Sequence, residues 1–378
     1  MKICGRDIGI QGVITIFLIF LGTVSLVVSS TPTEILILML LAYASNASYS
    51  MVSRSAVRTS VLYHALTVFL NNTLFYLVLH RLVQNDLSIV LFIPYTVATV
   101  FGSQNGSLAS MRIEERFGIK ANPDKKAKPT PQSVLAQKLL LGFVGVLGIV
   151  AAVFTRDLKT AAFVAFLALA DNLTFSVLRR SRNTNNVAYH IIASIAKGTV
   201  WYLLFRELSL SKMALGFFPQ YCFGSVLGGL IGQDVSLRIE RLIGASADDH
   251  LKSKAKHFMP TVSLAILSLG VVAISFFANE PSFAVYLALL SGAQQVSFTI
   301  VSRSRNRGHM GYHMLASILS NGVWFLTFRQ ANLEHWSPDL YLPFALGGTA
   351  GSISGAGISM QIERKLGISS DAHLAKPA

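Results

Sequence analysis

The stretch VSRSRNRGHMGYHMLASILSNGVWFLTFRQANLEHWSPDLYLPFALGGTAGSISGAGISMQIERKL, residues 301–366, decides the fold. It opens on a basic turn, Ser302-Arg303-Ser304-Arg305, and continues into an apolar run that begins at Tyr312-His313 and carries Trp324. A second run carries Gly351, Gly355 and Ser359 at four-residue spacing, then Ile362-Glu363 and Gly367. Moving 123 residues toward the N-terminus recovers Arg180, Tyr189-His190, Trp201, Gly228, Gly232, Ser236, Ile239-Glu240 and Gly244. A further 126 recovers Arg54, Tyr63-His64, Phe75, Gly102, Gly106, Ser110, Ile113-Glu114 and Gly118. A register that holds without a gap inside each block is the mark of an internal repeat.

The chain is 52% hydrophobic and only 13% charged, about half the charge of a soluble domain. Its apolar runs match the roughly 20 helical residues that cross about 30 Å of hydrocarbon. These properties predict an all-α, polytopic membrane protein. Twelve spans are expected, near 9–29, 34–52, 61–80, 87–111, 134–154, 160–178, 188–205, 213–237, 259–278, 282–300, 311–328 and 340–361. The run after Asp7 reads as the first span, with a cleaved signal peptide as the alternative.

Four spans to a unit divide the chain into repeat 1 (1–120), a linker (121–133), repeat 2 (134–244), a linker (245–257), repeat 3 (258–368) and a tail (369–378). Because four is even, all three units point the same way and are related by rotation about the membrane normal, as parallel repeats are. A pseudo-threefold bundle is expected; a linear row is the alternative.

The net charge of +14 would suit a nucleic-acid binder, but its distribution indicates otherwise. Of 32 Lys and Arg residues, 25 fall on the side of the basic turns and linkers and only 6 on the other. By the positive-inside rule both termini are cytosolic, and the excess charge needs no nucleic acid. Such a face would attract anionic lipid headgroups, so the lipid bilayer is the partner expected.

No metal-ligand spacing, phosphate loop or nucleophile elbow is present, and Cys4 and Cys222 lie far apart; neither an enzyme nor a cofactor is expected. The glycines Gly102, Gly106, Gly228, Gly232, Gly351 and Gly355 suit close helix packing or a glycine-lined path. Pro94 and Pro343 are expected to kink the fourth span. Glu114, Glu240 and Glu363 sit at the negative end of a helix dipole and call for basic partners, for which Arg54, Arg180 and Arg303 are candidates. A cytosolic ligand or proton role is the alternative. His64, His190 and His313 begin the third spans at headgroup depth, as anchors or as titrating groups.

The most informative residues lie inside the spans. Asp171 is nine residues before Arg180 and Lys197 seven after His190, so an antiparallel hairpin places them at one depth, where intramembrane charges pair. Their counterparts are neutral: Ser45 with Asn71, and Gln294 with Ser320. Asn46, Asn72, Asn172, Gln295 and Asn321 adjoin them. This polar belt is either hydrogen-bond glue or a solute pathway. The function expected is a transporter or channel for a small polar or ionic solute; a scaffold gathering partners or anionic lipid on its basic face is the alternative.

In the third unit, Thr299-Ile300-Val301-Ser302-Arg303, then Asn321 to Trp324, Pro343 to Gly351, and Gln361-Ile362-Glu363-Arg364-Lys365-Leu366 resemble the membrane part of the YebE-like family of small bacterial proteins. The resemblance covers the last three spans of each unit. The chain departs from that family by triplication, by its extra first span and by lacking the family's soluble C-terminal domain. The resemblance implies a bacterial or phage-encoded inner-membrane protein and supplies no chemistry.

Overall fold

The computed structural model describes residues 2–3, 6–7, 10–29, 31–55, 61–118, 157–181, 186–244, 258–304 and 310–367, and helical residues at 142, 145–146, 148–149 and 153. Both linkers, the C-terminal tail and most of the expected fifth span lie outside them. After a two-residue antiparallel pair, Lys2–Ile3 with Arg6–Asp7, the described elements are helical. The first unit holds α1 (Ile10–Val28), α2 (Pro32–Ser55), α3 (Val61–Gln84) and α4 (Phe92–Arg116). The second holds α5 (Leu158–Ser181), α6 (Val187–Leu210) and α7 (Phe218–Leu242). The third holds α8 (Phe258–Ser275), α9 (Pro281–Ser304), α10 (Met310–Leu333) and α11 (Tyr341–Lys365). Six of the described helices are long and apolar enough to cross a membrane, which fits a polytopic helical membrane protein. The fourth helices α4 and α11 are as long, but Gly, Ser and Thr dilute their hydropathy, and Thr99, Ser103, Thr349 and Ser359 are fully or almost fully buried against neighbouring helices.

The fourth helices begin up to five residues later than the sequence suggests. Asp86-Leu87, Lys212-Met213 and His335-Trp336 all take positive φ, from +47° to +52°. A short 3-10 turn follows each pair (Ile89–Leu91, Leu215–Phe217, Pro338–Leu340). Left-handed backbone costs about 1 kcal/mol or more at a residue with a side chain. Burial offsets it: Leu87, Met213 and Trp336 are each fully buried. The delayed start puts Pro94 and Pro343 in the first helical turn, where no backbone donor is lost, rather than within the helix, where the expected kink would form. At the opposite end Gly118, Gly244 and Gly367, with φ of +60°, +63° and +64°, close the fourth helices in the left-handed conformation that glycine adopts freely.

Within each unit the second and fourth helices pack backbone to backbone: α2 on α4, α5 on α7, α9 on α11. A Cβ on Gly102 would lie 2.1 Å from the Tyr43 carbonyl oxygen, on Gly228 2.1 Å from that of Leu169, and on Gly351 2.0 Å from that of Gly292. Gly106 repeats the contact one turn on, against the Ala47 carbonyl, and Gly232 and Gly355 lie there against the Ser176 and Thr299 side chains. The glycines are therefore packing residues.

Between units, the third helix of one meets the fourth helix of the next: α3 with α7, α6 with α11, α10 with α4. The sequence of contacts returns to its start. At the end of the bundle far from the basic turns, the third helices also hold the positive-φ turns of their neighbours. Tyr76 Oη donates to Ala214 O (2.7 Å), Tyr202 Oη to Ser337 O, and Arg329 Nε to Leu87 O (3.1 Å). Trp336, Trp201, Phe205 and Phe328 fill the space between them with rings in contact.

Candidate functional site

At the basic end, three arginines on the second helices reach three glutamates on the fourth. Arg54 donates to Glu114 through Nε (3.2 Å) and Nη2 (2.7 Å), and Arg303 to Glu363 at 3.0 and 2.8 Å. Arg180 grips Glu240 with the same two prongs, its Nε at 2.7 Å. The hydroxyls of Ser110 and Ser359 also donate to Glu114 and Glu363, each at 3.1 Å. With every carboxylate buried and bidentate, this geometry locks helices together.

The histidines are anchors too. Ser55, Ser181 and Ser304 bond Nδ1 of His64, His190 and His313 at 2.8–2.9 Å. Two of the rings reach further, across to the next unit: His190 Nε2 to Ser352 Oγ and His313 Nε2 to Ser103 Oγ, both 3.1 Å.

The belt residues converge. Ser45, Asn46, Asn71, Asn72, Asp171, Asn172, Lys197, Gln294, Gln295, Ser320 and Asn321 all line one cavity of about 250 Å³. Lys197 on α6 donates its ammonium to the carboxylate of Asp171 on α5 and lies 5.6 Å from the Phe175 ring centroid. Antiparallel helices placing a cation and an anion at one depth is the cheapest way to keep both in a membrane. Asn172 and Asn321 donate to carbonyls of their own helices, and Asn72 accepts from Tyr221 Oη. Gln294 Oε1 is a buried acceptor without a protein partner among the described residues. A buried amide oxygen left alone costs about 1–3 kcal/mol, so a donor is wanted there.

Aromatic layers bound the belt on both sides. One turn toward the basic end stand Tyr49, Phe175 and Phe298, at equivalent positions in the three units; Tyr49 and Phe175 each lie 6.2 Å from Phe298. Toward the far end stand Phe75, Trp201 and Trp324, backed by Tyr95, Tyr221 and Phe344. Tyr95 stacks on Trp324 at 5.6 Å and Trp201 on Phe344 at 5.3 Å. Sequence reasoning marks Phe75, Trp201 and Trp324 by their recurrence but misses the other rings, because aromatics are ordinary filler in a span; recurrence at one offset is the signal that would have marked them too.

It also misses Arg179 and Gly229, which line the cavity. Arg179 reads as one of a pair of basic-turn arginines. Its neighbour Arg180 turns to Glu240, whereas Arg179, about 100° further round the helix, faces the cavity. Among the described residues no group of His, Cys, Asp and Glu could hold a metal ion. No protein-family model matches the chain, and no curated protein or solved structure matches it.

Proposed function

We propose that the chain is a twelve-span protein of three parallel four-helix units around a pseudo-threefold axis, with its basic end in the cytosol of a bacterial inner membrane. In this reading it passes or carries a small polar or ionic solute through the central cavity. The observation behind the reading is that eleven polar residues from all three units line a single space. Glue between two helices would need only pairwise contacts, and an empty polar cavity in hydrocarbon is costly unless water or solute fills it. The aromatic layers above and below would act as the two gates. The closed order of helix contacts supports the rotation axis.

The test is flux into vesicles reconstituted with the purified protein, followed by swelling in iso-osmotic solutions of small neutral, anionic and cationic solutes. Protein-dependent swelling with at least one solute, abolished by Asn71→Leu with Ser320→Leu, is expected. Swelling no faster than in protein-free vesicles for every solute would favour a scaffold on the basic face instead.

A further inference from the structure

The three seams between units are not alike. Two are closed by a histidine–serine bond, His190 to Ser352 and His313 to Ser103. In the seam between α3 and α7, the residue in register with those serines is Gly229, which has no hydroxyl to offer, and among the described residues no such bond joins His64 to α7. His64 and Gly229 line the cavity instead, while His190 and His313 do not. A Cβ on Gly229 would meet only the tip of Val68, 3.3 Å away. The cavity thus reaches into this seam, toward the basic end of the bundle.

Arg179 lies beside the same opening, within electrostatic range of His64 and of Tyr49. The positions in register with it are Ser53 and Ser302, so two units lack this charge. No carboxylate answers it among the described residues. Glu114, Glu240 and Glu363 are taken by other arginines, and Asp171 by Lys197. The cavity wall therefore carries one more positive than negative charge. Deeper in, Gln294 Oε1 waits for a donor.

We propose that the α3–α7 seam is the mouth of the cavity at the basic end, and that its solute is a small molecule with an oxyanion group, carboxylate or phosphate, which Arg179 takes. Once past the layer of Tyr49, Phe175 and Phe298, an N–H or O–H of the same solute answers Gln294. The guanidinium fork matches either oxyanion in two-pronged fashion, and a positive mouth in a low-dielectric wall concentrates anions by about tenfold or more. The proposal rests on the cavity being a solute site, but its test reads the mouth and its charge whether or not anything crosses.

The probes are two thiol reagents of similar size, an anionic sulfonatoethyl and a cationic trimethylammonioethyl methanethiosulfonate. They are applied to Asn71→Cys in a background with Cys4→Ser and Cys222→Ser, in phosphatidylcholine vesicles. Rates are divided by those at an exposed control cysteine, Glu115→Cys. The anionic reagent should be favoured about tenfold, and Arg179→Gln should remove that preference. Gly229→Ser, which supplies the missing hydroxyl, should slow both reagents about tenfold; Gly229→Ser with Val68→Ala makes room should the single variant misfold. Labelling without charge preference, or unaffected by either Gly229 variant, would overturn the mouth. No labelling at Asn71→Cys at all would overturn the solute cavity as well. Added phosphatidylglycerol that blocks labelling at high salt would assign Arg179 to a lipid headgroup and overturn a water-soluble solute.

Discussion

Arg180 and Glu240, sixty residues apart in sequence, meet as a two-pronged ion pair, and the same separation joins Arg54 to Glu114 and Arg303 to Glu363. Each pair ties the basic end of a second helix to that of a fourth. Glu240→Gln should destabilise the protein in detergent by about 1–3 kcal/mol, the range for a charged, partly buried hydrogen-bonded pair. Adding Arg180→Gln should cost less than the sum of the two single changes. Thermal unfolding of the four proteins completes the cycle, and strict additivity would dissolve the partnership.

Lys197→Ala should be worse than a double replacement. Alone it strands the Asp171 carboxylate, and breaking one side of a buried pair costs about 3–5 kcal/mol. Asp171→Ser with Lys197→Asn installs the neutral pair found in the first unit and should restore expression and melting temperature. Restored folding with lost flux would make the charges part of the solute site. A double variant as unstable as Lys197→Ala would end the argument from equivalence between units.

Two alanines on one helix should differ sharply. Gly351→Ala drives a Cβ to 2.0 Å from the Gly292 carbonyl and must push α11 off α9, at a cost of about 1–3 kcal/mol or more. Gly357→Ala meets nothing within 4 Å and should be neutral or stabilising by up to about 1 kcal/mol, since alanine favours helix. Equal melting temperatures for the two would refute backbone packing at Gly351.

Asp339, in the turn before α11, accepts from the Ser337 hydroxyl and from the Asn279 N–H at 2.8 Å. Burial works to raise its pKa, but these hydrogen bonds outweigh it and hold the carboxyl below its ordinary value. A depressed folded-state pKa adds stability that is full above the unfolded carboxyl's value, about 4, and is lost as pH falls through the folded one. The melting temperature of Asp339→Asn should therefore trail the parent at pH 7 and converge on it below about pH 4. A gap constant from neutral to acid would refute the linkage.

The helices and the belt are largely written in the sequence, because both depend on spacing: Asp171 and Lys197 each count back to a basic turn, and Glu240 to Arg180. The seams are not. Gly229 in place of Ser103 and Ser352 is visible in the aligned units, yet it means nothing until that position is known to face a histidine of the preceding unit. Arg179 is hidden for a similar reason, since adjacent arginines differ only in helical phase. Leu87 and Met213 look like span residues, and only their positive φ, shared with Trp336, shows that they end a turn instead.

The contact between α10 and α4 has a cost in time. His313 meets Ser103 across 210 residues of chain, so α4 is made long before the helix that covers it. At roughly 5–20 residues per second of synthesis, the first unit waits about 10–40 s in the membrane with one flank of small and polar residues open to lipid or to strangers. The last unit to arrive is the one that finishes the first, and that edge cannot be sealed before the ribosome has made α10.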